Sequence, residues 1–201
     1  MRNHAIVAAA CVLLAACNNQ SKESTTATNG ADSASANMRS DHANADTGMA
    51  NNSGTTATAD PGTADFLMKA ADGGLAEVAA GQAAQSKATN ESVKMFAGMM
   101  VNDHTGANQQ VKDLAARLQV SLPAEPSEQH KKKIDEASKK EGKAFDKAYM
   151  TMMVDDHKKT ISLFKDGAEK AGNQEVKTFI NNTIPKLQMH LDSAQAIQKR
   201  L

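Results

Sequence analysis

Cysteine and aromatic residues are scarce in this chain, which has two cysteines, five phenylalanines, one tyrosine and no tryptophan among 201 residues. Both cysteines, Cys11 and Cys17, lie close to the N-terminus. No disulfide can therefore link elements within the remaining chain. We expect the fold to be held together by packing alone, even in an oxidising compartment.

An excess of charge of either sign is also absent, since 23 basic residues balance 23 acidic residues. A chain without a net positive field is not expected to bind nucleic acid. Long hydrophobic runs are absent as well. The run Ala5–Ala16 has about a dozen residues, whereas a membrane-spanning helix needs roughly 20. We therefore predict no transmembrane helix.

The short apolar run at the N-terminus fits a signal peptide. Arg2 supplies a positive charge before the segment Ala5–Ala16, which has the length of a signal-peptide core. The segment ends in Leu14-Ala15-Ala16-Cys17, which is similar to the lipobox of bacterial lipoproteins. We predict cleavage before Cys17 and lipidation of its thiol. An ordinary secreted protein with a chance cysteine is the alternative.

The lipid on Cys17 is the predicted contact with a membrane, because several acyl chains give a durable anchor where one chain is marginal. Asn18 follows the cysteine, and by the enterobacterial sorting pattern a residue other than aspartate there favours the outer membrane. We therefore expect the protein to lie in the cell envelope and to face the periplasm. The sequence identifies neither a protein partner nor an oligomeric state.

The composition divides the chain into three parts. Residues 1–16 form the predicted lipoprotein signal peptide, and residues 17–62 are rich in Ser, Thr, Asn and Ala. A stretch of that composition cannot bury enough apolar surface to offset its ordering entropy, so we predict a disordered tether. Residues 63–201 remain, and they are sufficient for one domain with a core.

Apolar residues recur at helical spacing throughout this domain, and no window alternates like a strand. The predicted long helices are Ala64–Lys87, Glu91–Leu118, Gly142–Gly172 and Asn173 to the C-terminus, with a short helix from Ser127 to about Ser138. Two short turns make two antiparallel hairpins, and a long connection joins them. This pattern predicts an all-α, ferritin-like four-helix bundle with a long crossover between the second and third long helices. Pro185 predicts a kink in the last helix.

Each long helix carries one ionisable residue near the middle of its apolar stripe: Glu77, His104, His157 and His190. Within each hairpin, the two ionisable residues lie at nearly equal numbers of residues from the connecting turn. The difference of about two residues corresponds to roughly 3 Å along the helix axis, at a rise of about 1.5 Å per residue. Residues near the middle of their helices also lie at the same height along the bundle axis whether the two hairpins point in the same or in opposite directions. We therefore expect the four side chains to converge in the core.

Three imidazoles and a carboxylate are ligands that suit zinc, copper or iron, and bundle cores are a usual place for such sites. We therefore predict Glu77, His104, His157 and His190 as ligands of one transition-metal ion. The alternative is a set of neutral histidines that hydrogen-bond to Glu77 and to one another and fix the register of the core. A di-iron centre is disfavoured because the Glu-x-x-His motif is absent.

Methionine is the second compositional bias, with eleven in the chain. Six lie close in sequence to the histidines: Met99, Met100, Met150, Met152, Met153 and Met189. Thioethers suit copper(I), but methionine also fills irregular cores, and both interpretations stay open. No Gly-x-Ser-x-Gly elbow is present, so hydrolase chemistry has no support and no catalytic residue is predicted.

Charged neighbours of the histidines have their own predicted roles. Asp103 and Asp156 precede His104 and His157 but lie about 100° around the helix, so a supporting or surface role fits better than direct ligation. Asp146 is predicted to cap or brace the start of its own helix. The lysines between 131 and 147 form either a solvated face or a contact with anionic lipid.

These residues together resemble a known bacterial family, the domain-of-unknown-function 4142 group of predicted outer-membrane or periplasmic proteins. The resemblance rests on the following segments: Asp65-Phe66, Ala70-x-x-Gly73-Gly74-x-x-Glu77, Phe96-Ala97-x-x-Met100-Val101-x-Asp103-His104, Leu122-Pro123, Gly142-x-x-Phe145-Asp146-x-x-Tyr149, Met153-Val154-x-Asp156-His157 and Pro185-x-Leu187-x-x-His190. It implies a ferritin-like helical bundle and no established activity.

The sequence thus predicts a lipid-tethered periplasmic bundle with a polar core site for one metal ion. One alternative is a non-catalytic envelope scaffold whose histidines are structural. A redox enzyme that uses the bound metal ranks last, because no substrate pocket can be recognised in the sequence.

Overall fold

The computed structural model describes residues 58–201 of the chain. The predicted signal peptide, Cys17 and the predicted tether up to Ala57 lie outside this part. The described residues form five helices and no strand, which confirms the all-α prediction. Within them, no helix combines the length and the apolar character needed to cross a bilayer.

The helices lie within a few residues of the predicted ranges. In chain order they are α1 (Pro61–Lys87), α2 (Glu91–Arg117), α3 (Glu128–Ser138), α4 (Gly142–Lys170) and α5 (Gln174–Gln198). Helix α5 continues through Pro185 without interruption. Residues 118–141 join α2 to α4 and contain α3.

Helix α1 begins at Pro61, three residues before the predicted start at Ala64. The Asp60 carboxylate accepts a hydrogen bond from the Thr63 backbone N–H at 3.0 Å, which makes Asp60 the N-cap. Proline is well suited to the first turn, because its missing N–H would have no helical partner there. Pro61 and Gly62, predicted as tether, therefore belong to the helix.

Asparagine caps both helices that follow the short turns. Asn90 Oδ1 accepts from Ser92 N–H at 2.9 Å at the start of α2, and Asn173 Oδ1 accepts from Val176 N–H at 3.0 Å at the start of α5. Gly172 does not stop α4 through a left-handed conformation. Instead, Ala171 leaves the helix in an extended conformation, with φ −66° and ψ 131°.

Asp146 corrects one of the sequence predictions. It was expected to cap or brace the start of α4, but its buried carboxylate reaches the turn between α1 and α2. There it accepts from the Thr89 N–H at 3.0 Å, from the Thr89 hydroxyl at 2.7 Å and from the Asn90 N–H at 3.0 Å. The residue therefore ties one hairpin to the other.

The turn between α4 and α5 is held in a similar way from the start of α1. The Gly172 N–H donates to Asp60 Oδ2 at 3.0 Å and lies 3.1 Å from the Thr63 hydroxyl oxygen. Each short turn is thus hydrogen-bonded to a carboxylate from the other hairpin. These bonds fix the relative height of the helices, on which the level of the core residues depends.

The core lies between the four long helices, with α1 against α2 and α4, and α5 against α4 and α2. Most residues that face inward on the long helices are buried, whereas Ala107, Ala168 and Thr183 are only partly covered. Met100, Met150 and Met153 are fully buried among the apolar residues, which is the core-filling role.

Helix α3 packs against α1 and α4 outside this core. Ser127 is the N-cap residue of α3, but its side chain makes no cap bond and instead lies 3.2 Å from His130 Nδ1. Two lysines of this region form ion pairs, Lys131 with Glu125 at 2.9 Å and Lys133 with Asp156 at 2.8 Å. Contact of these lysines with anionic lipid stays a prediction.

Candidate metal centre

The structure brings together the four side chains singled out in the sequence. Glu77 lies on α1, His104 on α2, His157 on α4 and His190 on α5, and none is more than 6% exposed. The ring centroid of His104 lies 5.7 Å from that of His157 and 5.4 Å from that of His190. The remaining pair, His157 and His190, is separated by 5.4 Å. The site therefore draws one residue from each long helix.

His157 is held by the backbone of its own helix. Its Nδ1 lies 2.9 Å from the carbonyl oxygen of Met153, one turn earlier. A carbonyl oxygen can only accept a hydrogen bond, so Nδ1 carries the proton and donates it. The other nitrogen, Nε2, points to His190 Nδ1 at 3.4 Å.

His190 is held by a carboxylate from α2. Its Nε2 lies 2.9 Å from Asp103 Oδ2, and the other oxygen of Asp103 accepts from Lys186 Nζ at 3.1 Å. Burial opposes ionisation of Asp103, but the hydrogen bonds from His190 and Lys186 outweigh it and lower the pKa of the carboxyl group. Asp103 is therefore ionised, and it supports His190 from outside the cluster.

Two ring nitrogens consequently face each other as acceptors. Once His157 Nδ1 and His190 Nε2 have used their protons on Met153 and Asp103, the neutral rings present lone pairs at His157 Nε2 and His190 Nδ1. These atoms are 3.4 Å apart in a fully buried position. Two lone pairs at this distance repel, and a cation between them, either a proton or a metal ion, removes the repulsion.

Glu77 places its carboxylate against two of the histidines. Oε2 lies 2.8 Å from His104 Nε2, and Oε1 lies 3.3 Å from His157 Nδ1. Burial favours the neutral acid, but the neighbouring imidazoles, above all that of His104, outweigh it and lower the pKa of Glu77 to about 2. Glu77 is therefore ionised at neutral pH.

The same environment moves the pKa values of two histidines in opposite directions. Burial acts against the charged form of His104, but Glu77 outweighs it and raises the pKa of that ring. At His190, burial dominates over the hydrogen bond to Asp103 and lowers the pKa to about 4. His190 is therefore neutral at pH 7, as a metal ligand must be.

Two buried atoms of the cluster have no hydrogen-bond partner among residues 58–201, namely Glu77 Oε1 and His104 Nε2. The 2.8 Å contact between His104 and Glu77 is short enough for a hydrogen bond but is not directed like one. Buried polar atoms without partners are costly, and in a native structure they often indicate an absent water or ion.

A small cavity of about 30 Å³ adjoins these atoms, with Glu77, His104 and His190 in its wall. A water molecule needs at least about 10–15 Å³ of this kind of space, so the cavity has room for a water or an ion but not for an organic substrate.

The donor set that results is rich in nitrogen. Each of the three histidines offers one ring nitrogen, and these atoms lie within 4.8 Å of one another. Glu77 lies outside this closest group, against two of its members. Asp156 takes no part, because it pairs with Lys133 away from the cluster.

Sequence reasoning missed two groups at this site. The Met153 carbonyl is a backbone atom and has no sequence signal, whereas Lys186 is a lysine like many others on the surface. Asp103 was expected to act outside the direct ligands, and its contact with His190 agrees with that expectation.

Comparison with known proteins gives a family and a structural neighbour. A family model described as "Domain of unknown function (DUF4142)" matches residues 48–197, about three quarters of the chain. The crystal structure of a DUF305 fragment from Deinococcus radiodurans is similar, with 10% sequence identity and a TM-score of 0.64 over 72% of this chain and 99% of the fragment. At this identity the likeness concerns the fold alone. No curated protein matches the chain.

Proposed function

The chain belongs to the family described as Domain of unknown function (DUF4142), and we propose that its folded part is a ferritin-like four-helix bundle that binds one transition-metal ion in its core. The bundle assignment is supported by the pairing of α1 with α2 and of α4 with α5, and by the long connection between the pairs. Ligand side chains that project inward from facing helices are typical of metal sites in such bundles.

The two facing acceptor nitrogens of His157 and His190 carry this proposal. In metal sites, a ligating histidine donates its second ring N–H to a carboxylate or a backbone carbonyl, which fixes the tautomer and aims the other nitrogen at the ion. His157 has such an arrangement with Met153, and His190 has it with Asp103. Both free nitrogens are therefore already oriented for a shared cation.

The proposed ligands are His104, His157 and His190, with Glu77 as the fourth donor. The imidazoles suit zinc, copper or iron, and the Glu77 carboxylate balances part of the charge of the cation. Because Glu77 lies outside the closest group of nitrogens, its carboxylate must move towards the ion to coordinate it. Binding rather than catalysis is proposed, because the adjoining cavity of about 30 Å³ leaves no room for an organic substrate.

Metal content after reconstitution tests the proposal. The purified full chain is loaded separately with zinc, copper and iron, freed of excess ion and analysed for bound metal. We expect close to one ion per chain for at least one metal, and its loss in His104→Ala and His157→Ala. The matched control is His130→Ala, because His130 is a partly exposed histidine on α3 that pairs with Asp72 outside the core.

Circular dichroism of each variant separates loss of the site from loss of the fold. Stoichiometry near zero for all three metals in the wild-type chain would contradict the proposal. So would a folded His157→Ala variant that keeps its metal.

A non-catalytic scaffold with structural histidines is the second candidate. One observation favours it: His157 Nε2 and His190 Nδ1 are 3.4 Å apart, and a proton shared at this distance would also remove the repulsion between them. The ring pairs then serve to fix the register of the core. The metal-content experiment distinguishes the two candidates, because this one predicts an empty site at every metal concentration that does not denature the chain.

We also propose that the chain is an envelope lipoprotein, anchored by lipid on Cys17 in the outer membrane and facing the periplasm. The support is the segment Leu14-Ala15-Ala16-Cys17 after an apolar run. Forty-three residues would then separate Cys17 from Pro61, where α1 begins.

A further inference from the structure

Asp103 and Lys186 lie at the surface of the seam between α2 and α5, directly in front of the candidate metal centre. The Asp103 side chain is 17% exposed and that of Lys186 is 50% exposed. One oxygen of Asp103 holds the lysine at 3.1 Å, and the other holds the buried His190 at 2.9 Å. A continuous line of polar contacts therefore connects solvent with a core histidine.

The small cavity of the site extends to this ion pair. Its wall includes Glu77 and His104 in the interior and both Asp103 and Lys186 towards solvent. Its remaining wall residues come mostly from the interior faces of the long helices, and His157 behind the cavity is fully buried. The Asp103–Lys186 pair is thus the charged part of the wall that is nearest to water.

The seam between α1 and α2 is closed on the neighbouring side. The Asn108 side chain packs directly onto Gly74, so closely that a Cβ on Gly74 would overlap with the Asn108 amide. Asn108 also forms part of the cavity wall. An ion that approached from this side would have to displace a packed side chain, whereas on the other side it would only have to separate a surface ion pair.

The backbone near Lys186 favours local opening. Pro185 has no N–H, so the carbonyl of Asn181 lacks the hydrogen bond that a regular helix provides four residues later. The turn of α5 that carries Lys186 is therefore held by one backbone hydrogen bond fewer than its neighbours. Thr183 does not compensate, because its hydroxyl donates to the Phe179 carbonyl instead.

We propose that the Asp103–Lys186 ion pair closes the access route of the metal site, and that the Asp103 carboxylate is the first group to bind an incoming cation. This inference rests on the proposed metal-binding function. The Lys186 ammonium repels a divalent cation and must leave Asp103 before the cation can pass. The freed carboxylate attracts the cation, which can then move on to the ring nitrogens of His104 and His190. Asp103 and Lys186 are positioning residues and not ligands of the final site.

The rates of metal uptake and release test this role. Cobalt(II), whose visible absorption reports binding, is mixed with the full chain in a stopped-flow experiment, and excess chelator then removes it. In Lys186→Met the ion pair is lost but the length of the side chain is kept. We expect uptake and release both to accelerate, by about threefold, since an ion pair of this kind holds the route closed by only a modest free energy. The amount of cobalt bound should not change.

Lys133→Met is the matched control. Lys133 pairs with Asp156 at 2.8 Å, and this pair is also partly exposed but lies between α3 and α4. Its rates should equal those of the wild-type chain. A second variant, Asp103→Asn, keeps an acceptor for His190 and also loses the ion pair, but it lacks the carboxylate that binds the cation first, so its uptake should be slower than that of Lys186→Met.

Whether Lys186→Met releases cobalt faster or more slowly than the wild-type chain decides between a closed route and simple charge repulsion. If Lys186 acts only by repelling cations from the site, Lys186→Met takes up cobalt faster but releases it more slowly, and the inference is wrong. Rates equal to those of Lys133→Met would also overturn it. A wild-type chain that binds neither cobalt nor zinc, copper or iron would overturn the proposed function together with this inference, whereas normal binding with unchanged rates would overturn only the latter.

Discussion

At the scale of single residues, two of the three core histidines are held by groups that only accept hydrogen bonds. The Met153 carbonyl fixes the ring of His157, and the Asp103 carboxylate fixes that of His190. Each acceptor determines which ring nitrogen carries the proton and therefore which nitrogen faces the cluster. These two contacts thus fix the orientation of both rings.

The lowered pKa of His190 predicts a specific dependence of stability on pH in the metal-free chain. Burial holds the folded-state pKa at about 4, whereas the unfolded value is about 6.5. Between these values the unfolded state binds a proton that the folded state does not, so the free energy of unfolding falls as the pH falls from about 6.5 towards 4. Between pH 7 and pH 5 we expect a loss of about 2 kcal/mol from this group.

Urea unfolding at pH 7 and pH 5 with a chelator present measures this effect. Other ionisable groups lie around the same ring: Glu77, Asp103, His104, His157 and Lys186. His190→Gln removes the His190 contribution and leaves those groups in place. The wild-type chain should lose more stability on acidification than this variant, and equal losses would contradict the prediction.

At the scale of the helices, small residues determine how closely α1 approaches α2. A Cβ on Gly81 would lie 2.8 Å from Val101 Cγ2 and 3.1 Å from the Ala97 carbonyl oxygen. The second contact is with backbone, which cannot rotate away. The close approach of these two helices therefore requires glycine at this position. It also brings Glu77, one turn before Gly81 on α1, within reach of His104 on α2.

Gly81→Ala should consequently destabilise the chain by about 1–3 kcal/mol, the usual cost of overpacking a core. Gly73→Ala is the control on the same helix, because nothing lies within 4 Å of a Cβ placed there. That substitution should be neutral or stabilising by up to about 1 kcal/mol, since alanine is the better helix former. The free energy of unfolding in urea gives both values, and similar values for the two variants would refute the packing argument.

The sequence predicts elements whose determinants are local or periodic. The stripes identified Glu77 and the three histidines, because apolar spacing identifies the inward face and a constant helical rise gives the height. Asp146 was assigned wrongly, because its partners Thr89 and Asn90 are more than fifty residues away. Such a contact depends on how one hairpin is rotated against the other, and helical periodicity within a single stretch carries no information about that rotation.

The start of α1 is a different kind of error. Asp60 and Pro61 are a recognisable local signal for a helix start, but they follow a polar stretch and were assigned to the tether on composition. The link between Asp103 and His190 was only partly predictable, since the angle around α2 excluded direct ligation but did not identify the partner on α5.

At the scale of the whole molecule, each turn between paired helices is fixed by a carboxylate, with Asp146 at one turn and Asp60 at the other. The candidate metal centre lies near the middle of the long helices between them. Hydrogen bonds at the turns therefore keep the helices in register where four buried polar residues have to meet.

The proposed anchor predicts where the whole chain is found in a cell that processes lipoproteins. Cys17→Ser removes the thiol that would carry the lipid, so the variant should lose lipid labelling and leave the membrane fraction. Cys11→Ser is the matched control, because Cys11 lies within the predicted signal peptide, residues 1–16. It should remain membrane-bound and labelled. Equal fractionation of the two variants would contradict the lipoprotein proposal.

The central claim is that the core histidines together bind one metal ion. The most direct measurement is X-ray absorption at the zinc edge on the zinc-loaded full chain, which reports the atoms around the ion. The account predicts nitrogen and oxygen ligands at about 2.0–2.1 Å, with the outer-shell scattering of three imidazole rings, and loss of that scattering in His157→Ala. A spectrum without imidazole scattering, or one dominated by sulfur at about 2.3 Å, would contradict it.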